Sequence, residues 1–349
     1  MPKFDRAAED LGNSIHLEHV NVRVPDQHLA TLFYVTGLGL TRDPYLMTSD
    51  DNMWVNVGRS QFHLPSGKAQ VLRGHIGLVI SGRKALLDRL ASIAHKLRGT
   101  AFAFREHNDH VEATFPWGNR MRCFEPDAAR FGRITLGIPY VEFEVPAGTA
   151  NAICEFYPKI MGMPAELWDA TVASVKTGQN QHLLFRETDR PQPEYDGHHV
   201  QIYITNFSGP YRALSERGLV CREDNRYQYR FRDIVDPANG RRLFTVEHEV
   251  RSVTHPMYFA AAGQPQSGPD QRHLRYRSRS MALGDGTRPE RSEIAKIIRR
   301  SEAIAVIRNR LTSFRSVAGC CLVIYVQYTF GMNHRDLPRV RASRTWQTV

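Results

Sequence analysis

A repeat with a period of about 120 residues constrains this chain more than any other feature of its sequence. The stretch Leu17–Pro25 (LEHVNVRVP) alternates polar and apolar residues as a half-buried strand does, and it stops at a proline. Ile138–Pro146 (IPYVEFEVP) does the same about 121 residues later. Each is followed by a helix-like stretch carrying Phe-Tyr and, six residues after the Phe, a glycine: Phe33-Tyr34 with Gly39, and Phe156-Tyr157 with Gly162. Gly58-Arg59-Ser60-Gln61 then parallels Gly178-Gln179-Asn180-Gln181, and Gly74-His75 parallels His198-His199. Pro116-Trp117-Gly118-Asn119 parallels Pro237-Ala238-Asn239-Gly240. Landmarks recurring in the same order predict an internal duplication.

Within each copy the pattern reads strand, helix, three strands, twice over. Short alternating runs such as Met53–Val57, Ser60–Leu64 and Val111–Phe115 suit strands. Leu86, Leu87, Leu90, Ile93, Ala94 and Leu97 recur at helical spacing. The expected fold is α+β, with four βαβββ modules near 15–66, 73–127, 137–188 and 197–252. They form two duplicated halves, 15–130 and 137–255, each a curled mixed sheet with helices outside. After Tyr258 the composition turns to a Gln-Pro-Gln-Ser-Gly-Pro linker and an Arg-Tyr-Arg-Ser-Arg run, so 259–349 is expected to be a basic, poorly ordered tail.

That tail accounts for the charge. Of 46 Lys and Arg and 36 Asp and Glu, 16 and 6 fall after Tyr258, which leaves 30 of each in the body. The net charge of +10 is therefore no argument that the body binds nucleic acid. Five cysteines without a CxxC pair suit free thiols in a reducing compartment, and the expected location is the cytoplasm. The opening residues carry acidic side chains where a secretory signal needs an apolar run, and no stretch is apolar for long enough to span a membrane. Phosphate-cradling GxxxxGK[ST], GxGxxG after a strand, HExxH and GxSxG are all missing from the sequence.

A strand with His19 six residues before Pro25, a Phe-Tyr helix followed by Gly, and a later Asp-Pro turn ending in Gly together resemble the vicinal oxygen chelate superfamily over roughly 15–255. That superfamily includes glyoxalase, methylmalonyl-CoA epimerase, extradiol dioxygenases and drug-binding resistance proteins. The ending Val246–Ser252 resembles an uncharacterised branch of it. The resemblance implies metal ligands in a His, Gln, His, Glu pattern on the first and last strands of paired modules. It also implies a divalent ion (Fe, Mn, Zn or Ni) that polarises a carbonyl or holds two neighbouring oxygens.

Carried over residue by residue, the pattern falls on Tyr140, Gln181, His199 and Glu247 in the second half. The expected metal ligands are His199, Glu247 and Gln181, with Tyr140 and Glu249 in catalytic roles. In the first half it falls on His19, Gln61 and His75, a second metal site, with Arg122 where the Glu should be. A guanidinium cannot ligate a metal, so Arg122 is expected to grip an anionic group of the substrate. His63 shares the parity of Gln61 and can replace it; His182 has the opposite parity to Gln181. Alternation puts His199, Gln201 and Tyr203 on one strand face, so Gln201 and Tyr203 are expected to touch substrate. The reading is a metal-dependent lyase, isomerase or extradiol-type dioxygenase acting on a small oxygen-rich molecule through an enediolate or chelated diol. Its competitor is a metal-free small-molecule binding protein of the drug-resistance kind. Neither needs a nucleic-acid or membrane partner, and a homodimer remains open to such a chain.

Overall fold

The computed structural model describes residues 6, 9–44, 46 and 51–258; the tail expected over 259–349 lies outside the described residues. The first module contains β1 (Ser14–Asn21), helix α1 (Gln27–Thr31), β2 (Thr41–Arg42), β3 (Asn52–Val57) and β4 (Ser60–Pro65). The second contains β5 (Gly74–Ile80), α2 (Arg83–Ala94), β6 (Ala103–Glu106), β7 (His110–Thr114) and β8 (Arg120–Phe124), and a short α3 (Ala128–Phe131) follows. The third contains β9 (Leu136–Pro146), α4 (Ala150–Phe156), β10 (Ala165–Asp169), β11 (Val172–Gly178) and β12 (Gln181–Thr188). The fourth contains β13 (His199–Ile204), α5 (Ser208–Ser215), β14 (Val220–Asn225), β15 (Gln228–Val235) and β16 (Arg242–Ser252).

Four βαβββ modules are thus present, as the repeat predicts. In each, the last three strands form a meander whose final strand returns parallel to the first, which the helical crossover permits. How the modules share sheets is a separate matter. One sheet runs β14-β15-β16-β13-β1-β4-β3-β2, joining the first module to the fourth. The other runs β10-β11-β12-β9-β5-β8-β7-β6, joining the second to the third. The boundary expected between 130 and 137 is therefore one of sequence and not of sheets. Alternation shows that each module's first strand has an edge to pair, but it carries no information about which partner takes it.

The Phe-Tyr landmarks lie in matching places. Each first helix runs into a π-helical turn, Leu32–Gly37 after α1 and Tyr157–Met161 after α4. Phe33, Tyr34, Phe156 and Tyr157 are all buried. Tyr157 hydrogen-bonds His248 Nε2 at 2.9 Å, and that imidazole stacks on Phe231. His248 is thereby fixed into the core, which turns its neighbours Glu247 and Glu249 to the opposite face of β16.

Gln181, expected as a metal ligand, has another role. Its Oε1 accepts from Leu17 N at 3.0 Å, and its Nε2 lies 3.1 Å from each of Leu17 O, Ile138 O and Ser60 Oγ. Leu17 belongs to one sheet and Ile138 to the other, so this amide is saturated as a pin between them. The register explains the displaced expectation. His19 pairs with Gln61 across β1 and β4, and Tyr140 pairs with His182 across β9 and β12. The counterpart of Gln61 is thus His182, and Gln181 matches Ser60. Replacing Gln181 with Ala strips partners from several buried groups, and we expect a loss of about 2–3 kcal/mol in denaturant unfolding. A loss below about 0.5 kcal/mol would show that the pin is dispensable.

Candidate metal centre

The joining of first and fourth modules brings His19 beside the strand that carries His199. On antiparallel β1 and β13, His19 faces Gln201 and Asn21 faces His199. On parallel β13 and β16, His199 faces Glu247 and Gln201 faces Glu249. His19, His199 and Glu249 are all buried and offer donor atoms within 4.8 Å of one another. Gln61 completes the floor next to His19.

A local irregularity aims His19. Leu17 faces Ile202 while His19 faces Gln201, so Glu18 is an extra residue, a β-bulge. Leu17 and Val20 both enter the core, and the two polar residues between them emerge on the same side. Glu18 then makes a short hydrogen bond to His19 Nδ1. Burial alone would raise the Glu18 carboxyl, but the facing His19 outweighs it and the group is held below its ordinary value. A carboxylate on Nδ1 fixes the tautomer that leaves Nε2 as a free lone pair, the arrangement common behind metal-bound histidines.

The chemistry of the remaining atoms points the same way. His19 Nε2 and Gln61 Oε1 are buried with no hydrogen-bond partner among the described residues, and His199 Nε2 lies 3.5 Å from a Glu249 oxygen. Such orphans are costly unless something satisfies them. Burial pushes His199 down to about 4 against the opposing pull of Glu249, so its imidazole is neutral near pH 7. Glu249 is held well below the usual range despite its burial, because His199, His19 and Arg251 favour the anion. Two imidazole nitrogens, an amide oxygen and a carboxylate fit a divalent first-row metal.

Glu247, the expected carboxylate, lies 3.8 Å from His199 Nδ1 and is committed elsewhere. It accepts from Arg230 Nη1 at 2.7 Å and from Arg232 Nε at 3.1 Å. Glu249 also meets Arg230, in a short contact, and its Oε1 lies 2.5 Å from Arg251 Nη2. Gln201 is fully buried, neither of its amide atoms has a hydrogen-bond partner among the described residues, and Tyr203 lies beside Arg251. Trp54 stacks on His63 with centroids 3.8 Å apart and meets His19 edge-on, forming a wall. His63 cannot stand in for Gln61: its nitrogens are taken by Asn21 and Asn52, both at 2.7 Å.

His75, grouped with His19 by the sequence, sits in the other sheet. The counterparts of Glu18, His19, Gln61, His199 and Glu249 there are Pro139, Tyr140, His182, His75 and Arg122. Only one imidazole stands where the first sheet has one, and no carboxylate replaces Glu249. Tyr140, expected near His199, is held as a neutral phenol by burial and lies 3.1 Å from His75 Nε2. Its ring covers Gly77, where an added Cβ would come within 2.3 Å of it, so the glycine admits the phenol. Arg122 lies opposite Gly77, with Nε 3.8 Å from Glu112, and takes no part in the His19–His199 site. The missed signals were the two consecutive polar residues Glu18-His19 between core positions, and the Glu249 parity.

No family model matches the chain, and no curated protein sequence matches it. The class that the fold and site define is a protein of paired βαβββ modules with a two-histidine, one-carboxylate cup. Among solved structures, it is similar to a proposed dioxygenase from Bacillus subtilis (15% identity, TM-score 0.46, covering 70% of this chain and 86% of that one). It is also similar to glyoxalase I from Zea mays (16%, 0.45, 68% and 92%). A third is the Mn(II)-bound glyoxalase from Novosphingobium aromaticivorans (14%, 0.27, 69% and 83%). Among the described residues, no helix is long and apolar enough to cross a membrane.

The second sheet supplies a pH prediction well away from the donor set. Burial, with Arg122, Arg120 and Arg186 nearby, lowers His75 from 6.5 to about 3. Below pH 6.5 the unfolded chain takes up this proton and the folded chain does not, so stability is lost as pH falls from 6.5 towards 3. His75→Gln should flatten the fall between pH 7 and 4.5 by about 1–3 kcal/mol. Parallel unfolding curves for the variant and the parent would contradict the assignment.

Proposed function

We propose that the chain is a metal-dependent enzyme acting on a small oxygen-rich molecule, with His19, Gln61, His199 and Glu249 as the protein ligands. The observation that carries this reading is the convergence of His19, His199 and Glu249, with His199 Nε2 3.5 Å from Glu249 and His19 Nε2 buried without a hydrogen-bond partner among the described residues. A divalent ion there supplies Lewis-acid polarisation of a carbonyl or a seat for two neighbouring oxygens. The chain's own groups do the rest. Glu18 orients His19, and Trp54 with His63 shuts water from one side. Gln201 offers an amide donor and acceptor to a bound oxygen, and Arg230 and Arg251 add positive charge near Glu249. Chemistry of the lyase, isomerase or ring-cleaving dioxygenase kind suits such a cup.

One observation favours a metal-free binding cup instead: Glu249 is already compensated by two guanidinium groups. Metal content separates the two. After loading with Fe, Mn, Zn or Ni, the purified protein should hold a stoichiometric ion at this site. His19→Ala and His199→Ala should each weaken it by at least about 100-fold, since few donors remain to offset desolvation of the ion. Gln181→Ala should retain it. If both histidine variants keep the parent's affinity, the cup is not a metal site.

A further inference from the structure

We propose a second, independent divalent-metal site on the β6–β7 hairpin, formed by His107, His110 and Glu112. The hairpin is short: His107 N donates to His110 O at 2.8 Å across a tight turn at Asn108-Asp109, which brings the two histidines face to face. Their rings stack with centroids 4.5 Å apart and planes 9° from parallel. Glu112 lies two residues further along β7, on the same strand face as His110. One donor atom from each of the three lies within 4.8 Å of the others, and all three residues are half-buried. A tetrahedral ion with bonds of about 2.0–2.1 Å needs its donors about 3.4 Å apart, and because an imidazole lone pair lies in the ring plane, the two rings must rotate out of their stack to meet on it.

The surroundings fit that use. His110 Nδ1 is held by Asp109 Oδ1 at 2.7 Å, which leaves its Nε2 as the free lone pair. His107 Nε2 is buried and has no hydrogen-bond partner among the described residues. The hairpin is also braced from outside. Arg83 donates to Asn108 O at 2.9 Å and His110 O at 3.3 Å, and it pairs with Glu106 at 2.9 Å. A donor set mounted on a clamped turn loses little freedom on binding. Two imidazoles and one carboxylate suit zinc or a neighbouring first-row ion and leave a coordination position open. Glu112 faces Arg122 across β7 and β8, with Arg122 Nε 3.8 Å from its carboxylate. An ion that takes Glu112 thus releases that guanidinium, and an anionic co-ligand can meet both charges.

Zinc binding by the full chain, stripped with a chelator and followed by equilibrium dialysis, tests this. The parent should take up about two ions, and His107→Ala/His110→Ala about one. His19→Ala/His199→Ala should retain the hairpin ion, and adding Glu112→Gln to it should weaken that ion at least tenfold without altering the fold. If the His19→Ala/His199→Ala protein binds no zinc, or His107→Ala/His110→Ala binds as much as the parent, the hairpin site is overturned. If a single ion is lost only with the hairpin histidines, the hairpin site stands and the cup loses its metal.

Discussion

With β1 antiparallel to β13, His19 comes opposite Gln201 and two residue pairs away from His199. The meeting of His19 with His199 and Glu249 depends on that junction. It joins residues about 180 positions apart in sequence, so the centre exists only when the first and fourth modules share a sheet. Within the junction the Glu18 bulge does the fine placement, because an unbroken strand would send Glu18 and His19 to opposite faces. On the far side, Tyr157 and Phe231 hold His248 inward, and Glu249 is thereby turned into the cup.

The second sheet shows what happens when the same frame carries other residues. The bulge recurs around Pro139, but a proline can neither orient nor charge the residue after it. Tyr140 stands where His19 would and folds over Gly77, and Arg122 stands where Glu249 would. A cation replaces an anion at an equivalent register point, and the cup fills with its own side chain. The frame repeats while the chemistry does not.

Much of this was legible in the sequence. Four modules, their order, the Phe-Tyr helices and the inward face of His199, Gln201 and Tyr203 all follow from local alternation and from the repeat. The residues of the proposed centre all stand among the candidates of the sequence, grouped with other companions. Local periodicity records which face a residue takes and nothing about which distant strand will lie beside it. Gln181 for Gln61's counterpart was a one-residue slip, and in a strand one residue reverses the face. Glu247 for Glu249 kept the face but missed the commitment of Glu247 to Arg230 and Arg232, which only three-dimensional packing shows.

The proposed metal centre requires that donors from the first and fourth modules meet on one ion. A crystal structure of the manganese-loaded protein, with the ion located by its anomalous scattering, decides this directly. The account predicts a peak about 2.0–2.3 Å from His19 Nε2, His199 Nε2 and a Glu249 oxygen together. A peak bound by His199 and Glu247 without His19, or one in the cup of Tyr140 and His75, would contradict it.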